Sequence, residues 1–432
     1  MLKKLIEKLL YGFQPEKVSD AEILFTIVLF LISYYYFKKL TNLKTVYYVV
    51  LVIYLILFSF FLLTNSNYEG IDRQGICGWI QLSEELQNGQ SAYKLQANRF
   101  IQGEEYVTNL KVSFYYPPTY KFFYDYLCKV DVTFFNYINI ICFILVALLA
   151  ASYSDKERIK IFIILFTGLS SSIWMIRQGQ VVFIEVLFLI LSLNFYKNHK
   201  YYFGHLFLIL FGLCRIYFLV LLLPILIMRK VKKEFYFTVA VGIFLFLIQW
   251  NLWIDYFYLW FSSDGYLFGD VTTYSNRISL FDEQLGRYAF SILLLIRFLL
   301  NTFLNIEWSS TLFPSFILYV CVLVTSNIFI YYKFNKKPIF FRILIFIMLN
   351  FILYPVLKPY IFMFYFLAVI YLFQFNNTLY PKYSVFLFCI VGAYGHVVTN
   401  LISSTFTMEL YQFIILNIHF VFTFSKKFKK AL

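Results

Sequence analysis

Apolar runs long enough to be helices recur along this chain, separated by short polar or basic connections. Leu24–Phe37, Val46–Leu63, Phe134–Ala151, Phe235–Trp250 and Phe313–Tyr332 are the clearest. A crossing helix needs about 20 mostly apolar residues, so the pattern predicts an all-α polytopic fold with about 13 transmembrane helices. Two runs do not fit one straight crossing. The stretch "FGHLFLILFGLCRIYFLVLLLPILI" has basic clusters on both sides, so both its ends belong on one side. A broken hairpin of two half-length segments, with Arg215 at the outward apex, satisfies that. Ala289–Phe303 is interrupted by Arg297, and a single crossing there would put the following "KFNKKP" on the wrong side. It reads as re-entrant or interfacial. The opening "MLKKLIEKLLYGF" is amphipathic and reads as an interfacial helix. The chain thus divides into an N-terminal segment, 1–19, and one membrane domain, 20–432.

Composition agrees with this pattern. Hydrophobic residues are 61% of the chain and charged residues 14%, with a mean hydropathy of +0.72. Soluble domains have roughly 45–50% apolar and about 25% charged residues, so the sequence describes a multi-pass integral membrane protein.

The formal charge of +14 lies in short clusters between apolar runs: "KKLTNLK", "DKERIK", "KNHK", "RKVKKE", "KFNKKP" and the tail "KKFKK". That distribution marks cytoplasmic loops, and no groove-reading or stacking module accompanies it, so nucleic acid is excluded as a partner. With the clusters inside, two long polar connections fall outside, 65–131 and 255–311; the threading puts the N-terminus out and the C-terminus in. The expected location is the inner (plasma) membrane, with the chemistry on its extracytoplasmic face. Of six cysteines, only Cys77 and Cys128 lie in a polar loop, where a disulfide between them is possible. The four histidines lack ligand spacing, so no metal is expected. Neither a glycine-rich phosphate loop nor a GxSxG elbow is present.

The candidate chemistry lies in the outer turns. In "SSIWMIRQGQVVFIEVLFLILSL", Arg177, Gln178 and Gln180 interrupt apolar sequence. Polar groups beside hydrocarbon are expensive unless protein or a water-filled cavity receives them. The threading brings Arg215 to the same level, with the turn "YPVLKPY" that holds Lys358 and Tyr360. The first loop adds "FYYPPTY", with Tyr116 and Pro117, and the acids Asp72, Glu84 and Glu85. Cations facing carboxylates at a membrane surface suit a lipid-linked phosphate: the cations hold the phosphate and a carboxylate deprotonates an acceptor hydroxyl. Structural alternatives stand beside these roles. Arg215 can pair with Glu185, below Gln180. The Tyr116-Pro117-Pro118 stretch can simply enforce an extended turn before a new helix. "SEELQNG" reads as a short helix with Ser83 near its start and Glu84 and Glu85 on the exposed side.

Four features occur in order between about Ile71 and Leu372: "NGQSAY" followed by "YYPP", "RQGQV" opening a span, a glycine-led broken hairpin with a cation inside, and "YPVLKPYIF" before a late span. This order is similar to the family 87 glycosyltransferases of the GT-C class, the polyprenol-phosphate-mannose-dependent mannosyltransferase-like membrane proteins. The resemblance implies a multi-pass enzyme that takes a sugar from a polyprenyl-phosphate donor to a lipid or glycan acceptor, without cofactor, nucleotide sugar or obligatory metal. Asp72, the first-loop acid nearest the position of the family's aspartate, is the expected base, with Glu69, Glu84 and Glu85 as alternatives. Arg177, Gln178, Gln180, Arg215, Lys358, Tyr360, Tyr116 and Pro117 would hold the donor. The chain departs from the family pattern in places. The position expected to hold the aspartate, counted back from Gly89, is Gly75, and Asp72 lies earlier; Arg215 and Phe218 stand where the family has lysine followed by proline, and Val182 where it often has asparagine. Two other readings share the many spans. A polysaccharide polymerase or ligase would carry its main external loop late, whereas the longest loop here is early; a transporter or flippase would place its polar residues at the midplane between repeated halves.

Overall fold

The computed structural model describes residues 71–85, 91–95, 117–152, 179–229, 232–261, 292–306, 308–354, 359–372, 414 and 416–421. Among them the regular structure is helical, with no strand.

Helix α1, Ile71–Glu85, and helix α2, Pro118–Leu127, come from the stretch expected to be the first external loop. In α1, Arg73, Ile76, Trp79 and Ile80 are buried, a spacing that lays one face of a helix against a core. This corrects the expected short helix beginning near Ser83. Ser83 sits in the last turn of α1, where its hydroxyl donates to the Ile80 carbonyl at 2.7 Å; the apolar face upstream sets the helix. Glu84 is exposed. In α2, Pro117 is the cap in extended conformation and Pro118 is the first helical residue, where the missing N–H costs nothing. A disulfide joins Cys77 of α1 to Cys128 at the end of α2, with Cα atoms 5.4 Å apart.

Helix α3, Val132–Ser152, follows directly. Asp131 accepts from the backbone N–H of Thr133 at 2.8 Å and of Phe134 at 3.4 Å, capping otherwise unpaired donors. The same N–H groups, Phe134's foremost, hold its carboxyl below the ordinary carboxylate range.

Helices α4, Val182–Lys197, and α5, Tyr201–Cys214, form a close pair. A Cβ on Gly204 would lie 2.6 Å from the Tyr196 ring, and Ser192 donates to the Gly204 carbonyl at 2.8 Å. The expected break falls at Arg215, which has φ −141° and ψ 84°. A 3-10 helix, Ile216–Leu221, and α6, Leu222–Arg229, follow it. In one continuous helix Gly212 and Leu219 would be about 10 Å apart along the axis. Here a Cβ on Gly212 would touch the Leu219 side chain at 2.5 Å, and the rings of Phe211 and Phe218 stack at 4.9 Å, so the chain folds back at the arginine.

Helix α7, Lys232–Ile248, and helix α8, Trp250–Phe261, meet at Gln249 with a bend of 87°, where the sequence had suggested one run ending at Trp250. Helix α9, Ile292–Leu304, packs against α10, Leu312–Lys333, through the 3-10 turn Trp308–Thr311. Arg297 of α9 donates from Nε to the Thr311 hydroxyl at 3.2 Å. The 13 residues of α9 rise about 20 Å, less than the roughly 30 Å of a hydrocarbon core. Helices α11, Ile339–Ile352, and α12, Pro359–Leu372, pack together, and both are buried over most of their length.

Among the described residues, Phe313–Lys333 is the one helix long and apolar enough to cross a membrane alone, and α7 with α8 qualifies only across its bend. Shorter apolar helices include Tyr201–Cys214 and Ile339–Ile352. The segment 1–19 and the runs Leu24–Phe37 and Val46–Leu63 lie outside the described residues.

Candidate functional site

The "RQGQV" turn takes its shape at Gly179, with φ +77°, a region that favours glycine. A Cβ there would also lie 2.6 Å from the Cβ of Arg73, so α1 packs on this turn only because the position has no side chain. Tyr124 of α2 donates to the Gly179 carbonyl at 2.7 Å, and Asn139 of α3 donates to the Gln180 carbonyl at 3.0 Å. Three elements thereby fix two residues, and α4 begins just beyond.

Glu185, in the first turn of α4, is fully buried. Arg215 reaches it from the break after α5: Nε lies 3.1 and 3.0 Å from the two carboxylate oxygens, and Nη2 donates to Gln180 Oε1 at 3.1 Å. The guanidinium carbon is 5.9 Å from the ring centre of Tyr120, which stacks on Tyr124 at 5.4 Å. A buried ion pair survives desolvation when its geometry is good and added hydrogen bonds meet its remaining polar atoms, and Gln180 contributes one of these. The structural pairing of Arg215 with Glu185 is therefore present.

On its other side the Arg215 break abuts the end of α11. The hydroxyls of Tyr319 and Tyr217 lie 2.5 and 3.2 Å from the Leu353 carbonyl and 2.9 Å from each other. The Tyr354 ring packs on Tyr217 at 4.9 Å and on Phe218 at 5.1 Å. The "YPVLKPY" turn starts at this residue, so its first end and the Arg215 break share one place. Tyr360 lies in the first turn of α12, while Lys358, Arg177, Gln178, Tyr116 and Glu69 are outside the described residues.

The carboxylate candidates separate along α1. Asp72 is in the first turn, next to Arg73, whose backbone N would lie 3.4 Å from a Cβ on Gly179. Glu84 and Glu85 are at the opposite end, about 18–20 Å away along the helix axis. The Gly179–Gln180 turn, with Arg215 bonded to Gln180, and the C-terminal end of α2 thus lie at the end of α1 that holds Asp72, away from the two glutamates, while Pro117 heads the far end of α2.

Sequence reading had not singled out Arg73, Tyr120 or Tyr124. Arg73 donates from Nη2 to the carbonyls of Val130 at 2.7 Å and Leu127 at 3.4 Å, and its guanidinium is 4.8 Å from the Phe135 ring centre. It secures the end of α2 as a basic side chain secures terminal helix carbonyls. The local signal was a lone cation among buried-face residues of α1. Tyr120 and Tyr124 carried one too, as an i, i+4 aromatic pair just after a helix-opening proline. Among the described residues no cluster of His, Cys, Asp and Glu is placed to hold a metal. Compared with family models, curated proteins and solved structures, the chain finds no match.

Proposed function

We propose that this protein is a polytopic, GT-C-like membrane glycosyltransferase that moves a sugar from a polyprenyl-phosphate donor to a hydroxyl of a lipid- or glycan-linked acceptor, on the extracytoplasmic face. The observation that carries the reading is the meeting of the Asp72 end of α1, the Gly179–Gln180 turn and the Arg215 break. Transfer needs a phosphate-holding cation and a base together, and this meeting of elements far apart in sequence supports Arg215 and Asp72 in those roles. The Cys77–Cys128 disulfide supports an external position for α1 and α2, because such bonds persist in oxidising compartments. Exposed apolar side chains such as Phe244 of α7 and Phe329 of α10 support contact with lipid.

In the reaction, Asp72 takes the proton of the acceptor hydroxyl as that oxygen bonds to the anomeric carbon. The bond from that carbon to the phosphate oxygen breaks, and the electron pair leaves with the polyprenyl phosphate. Glu185 offsets the charge of Arg215, so Arg215 supplies an oriented guanidinium, and Arg177 and Lys358 meet the larger share of the leaving group's charge. Gln178, Gln180, Tyr116 and Tyr360 orient the donor head group.

A transporter of lipid-linked sugar is the second reading. It is favoured by ionisable pairs buried among apolar helices, Glu185 with Arg215 and His205 with Glu234 at 3.6 Å. One assay separates the two. Radiolabelled polyprenyl-phosphate mannose, glucose, galactose and arabinofuranose are offered in turn to purified protein in proteoliposomes. Label moving to an acceptor is the expected result; label crossing the bilayer still on its donor would replace the transferase by the transporter.

A further inference from the structure

We infer that α8 is a lipid-seated helix: it lies in the head-group region of the outer leaflet, sets Trp250, Ile254 and Tyr258 toward lipid, and supports the first-loop helices on its opposite face. The inference rests on the proposed reading of α7 as a span. Helix α7 begins at Lys232 and Lys233 and has no charged residue after Glu234. Its 17 residues rise about 25 Å, the short end of the range for a span, and local thinning of the bilayer with snorkelling of the two lysines makes up the remaining few ångströms of a roughly 30 Å core. At Gln249 the chain turns through 87°. The 12 residues of α8 then run about 18 Å nearly at right angles to the span. That direction is the plane of the membrane.

The two faces of α8 differ. Trp250, Ile254 and Tyr258 are each about half exposed, at 48%, 46% and 47%. At about 100° per residue, these three positions and the exposed Asn251 fall within an arc of about 100°. Trp253, Tyr256 and Leu259 are buried on the opposite arc. There the Tyr256 ring meets Tyr93 edge-on at 5.5 Å, and Asp255 accepts from the Ser91 hydroxyl at 2.6 Å. The one charged side chain of the helix is thus tied to the loop. The open arc holds only aromatic, aliphatic and amide groups, and it continues the exposed apolar surface of α7 around the bend through Leu247, Ile248 and Trp250. Tryptophan and tyrosine with apolar bodies and polar tips are suited to the head-group level. The occupant is therefore phospholipid. Seated there, α8 holds residues 91–95 and α2 at the depth where the phosphate of a polyprenyl donor lies.

The test uses the full chain in phosphatidylcholine–phosphatidylglycerol nanodiscs, with an environment-sensitive fluorophore on cysteines introduced singly at Ile243, Ile254, Tyr258 and Lys94, and with background labelling of the parent subtracted. Nitroxide is placed near the lipid head group or near the acyl-chain end, and a soluble nickel chelate reports water. For Ile254→Cys and Tyr258→Cys, quenching at the head group should exceed quenching at the chain end by about twofold or more. Ile243→Cys should show the reverse order, and Lys94→Cys should respond to the chelate. If the two α8 labels follow Ile243, α8 is the second half of a broken span. If they follow Lys94 the face meets water, and if no quencher reaches them protein covers it; each of these outcomes overturns the inference while leaving α7 in the membrane. An Ile243→Cys label blind to the deep nitroxide would remove the span reading itself.

Discussion

Arg215 Nε lies 3.1 and 3.0 Å from the two carboxylate oxygens of Glu185, a contact between residues thirty positions apart that joins the break after α5 to the first turn of α4. Removing one partner leaves the other charge buried and uncompensated. Arg215→Met or Glu185→Leu alone should therefore destabilise the protein by about 3–5 kcal/mol, and the double variant by much less than the sum. Thermal unfolding in detergent measures all four corners of the cycle. Strictly additive costs would show that the two residues act separately.

The same pair makes a prediction for catalysis. Arg215→Lys keeps the charge but loses the fork that binds Glu185 and Gln180 together. Transfer should fall while most of the stability lost in Arg215→Met is retained. Donor titrations of the two variants separate positioning from folding, and equal losses of activity and stability in Arg215→Lys would assign the pair to structure alone.

Asp72 is expected to be the base, since its end of α1 adjoins the Gly179 turn. Asp72→Asn should lower turnover by about 10²–10⁴-fold with donor binding kept. Glu84→Gln and Glu85→Gln, at the far end of the helix, should be near-silent. A fully active Asp72→Asn variant would remove this mechanism.

Gly179 and Gly242 provide a matched contrast. At Gly179 the left-handed backbone alone makes alanine cost about 1–2 kcal/mol, and the approach of Arg73 at 2.6 Å adds to that. A Cβ at Gly242, within α7, meets nothing within 4 Å, so Gly242→Ala should be stabilising by about 0.5–1 kcal/mol. The two melting shifts are expected to have opposite signs.

Cys77 and Cys128 close a connection of 51 residues, and losing the bond should cost about 3–5 kcal/mol. Mass-tagging with a maleimide should modify both residues only after reduction. The Cys77→Ser and Cys128→Ser variants should melt alike, and the reduced parent should match them.

Several local features were legible because neighbouring residues determine them. The apolar content of Phe134–Ala151 and Phe313–Tyr332 makes helices that the structure places at Val132–Ser152 and Leu312–Lys333. Two consecutive prolines open α2, because proline fits the first position of a helix and few others. A cation in mid-run, flanked by basic clusters, correctly marked the break at Arg215. What the sequence left open depends on distant partners. Whether Arg215 meets Glu185 or an external anion turns on whether α4 and α5 bring them together, since only a partner at contact distance offsets the cost of burying a charge. Helix α1 went unrecognised inside a polar loop because its buried face is defined by α2 and the Gly179 turn. The 87° bend at Gln249 has no proline or glycine to announce it. Beyond it Tyr256 meets Tyr93 of the first loop and Trp253 stacks back on Phe246 of α7, a burial that only the assembled chain provides.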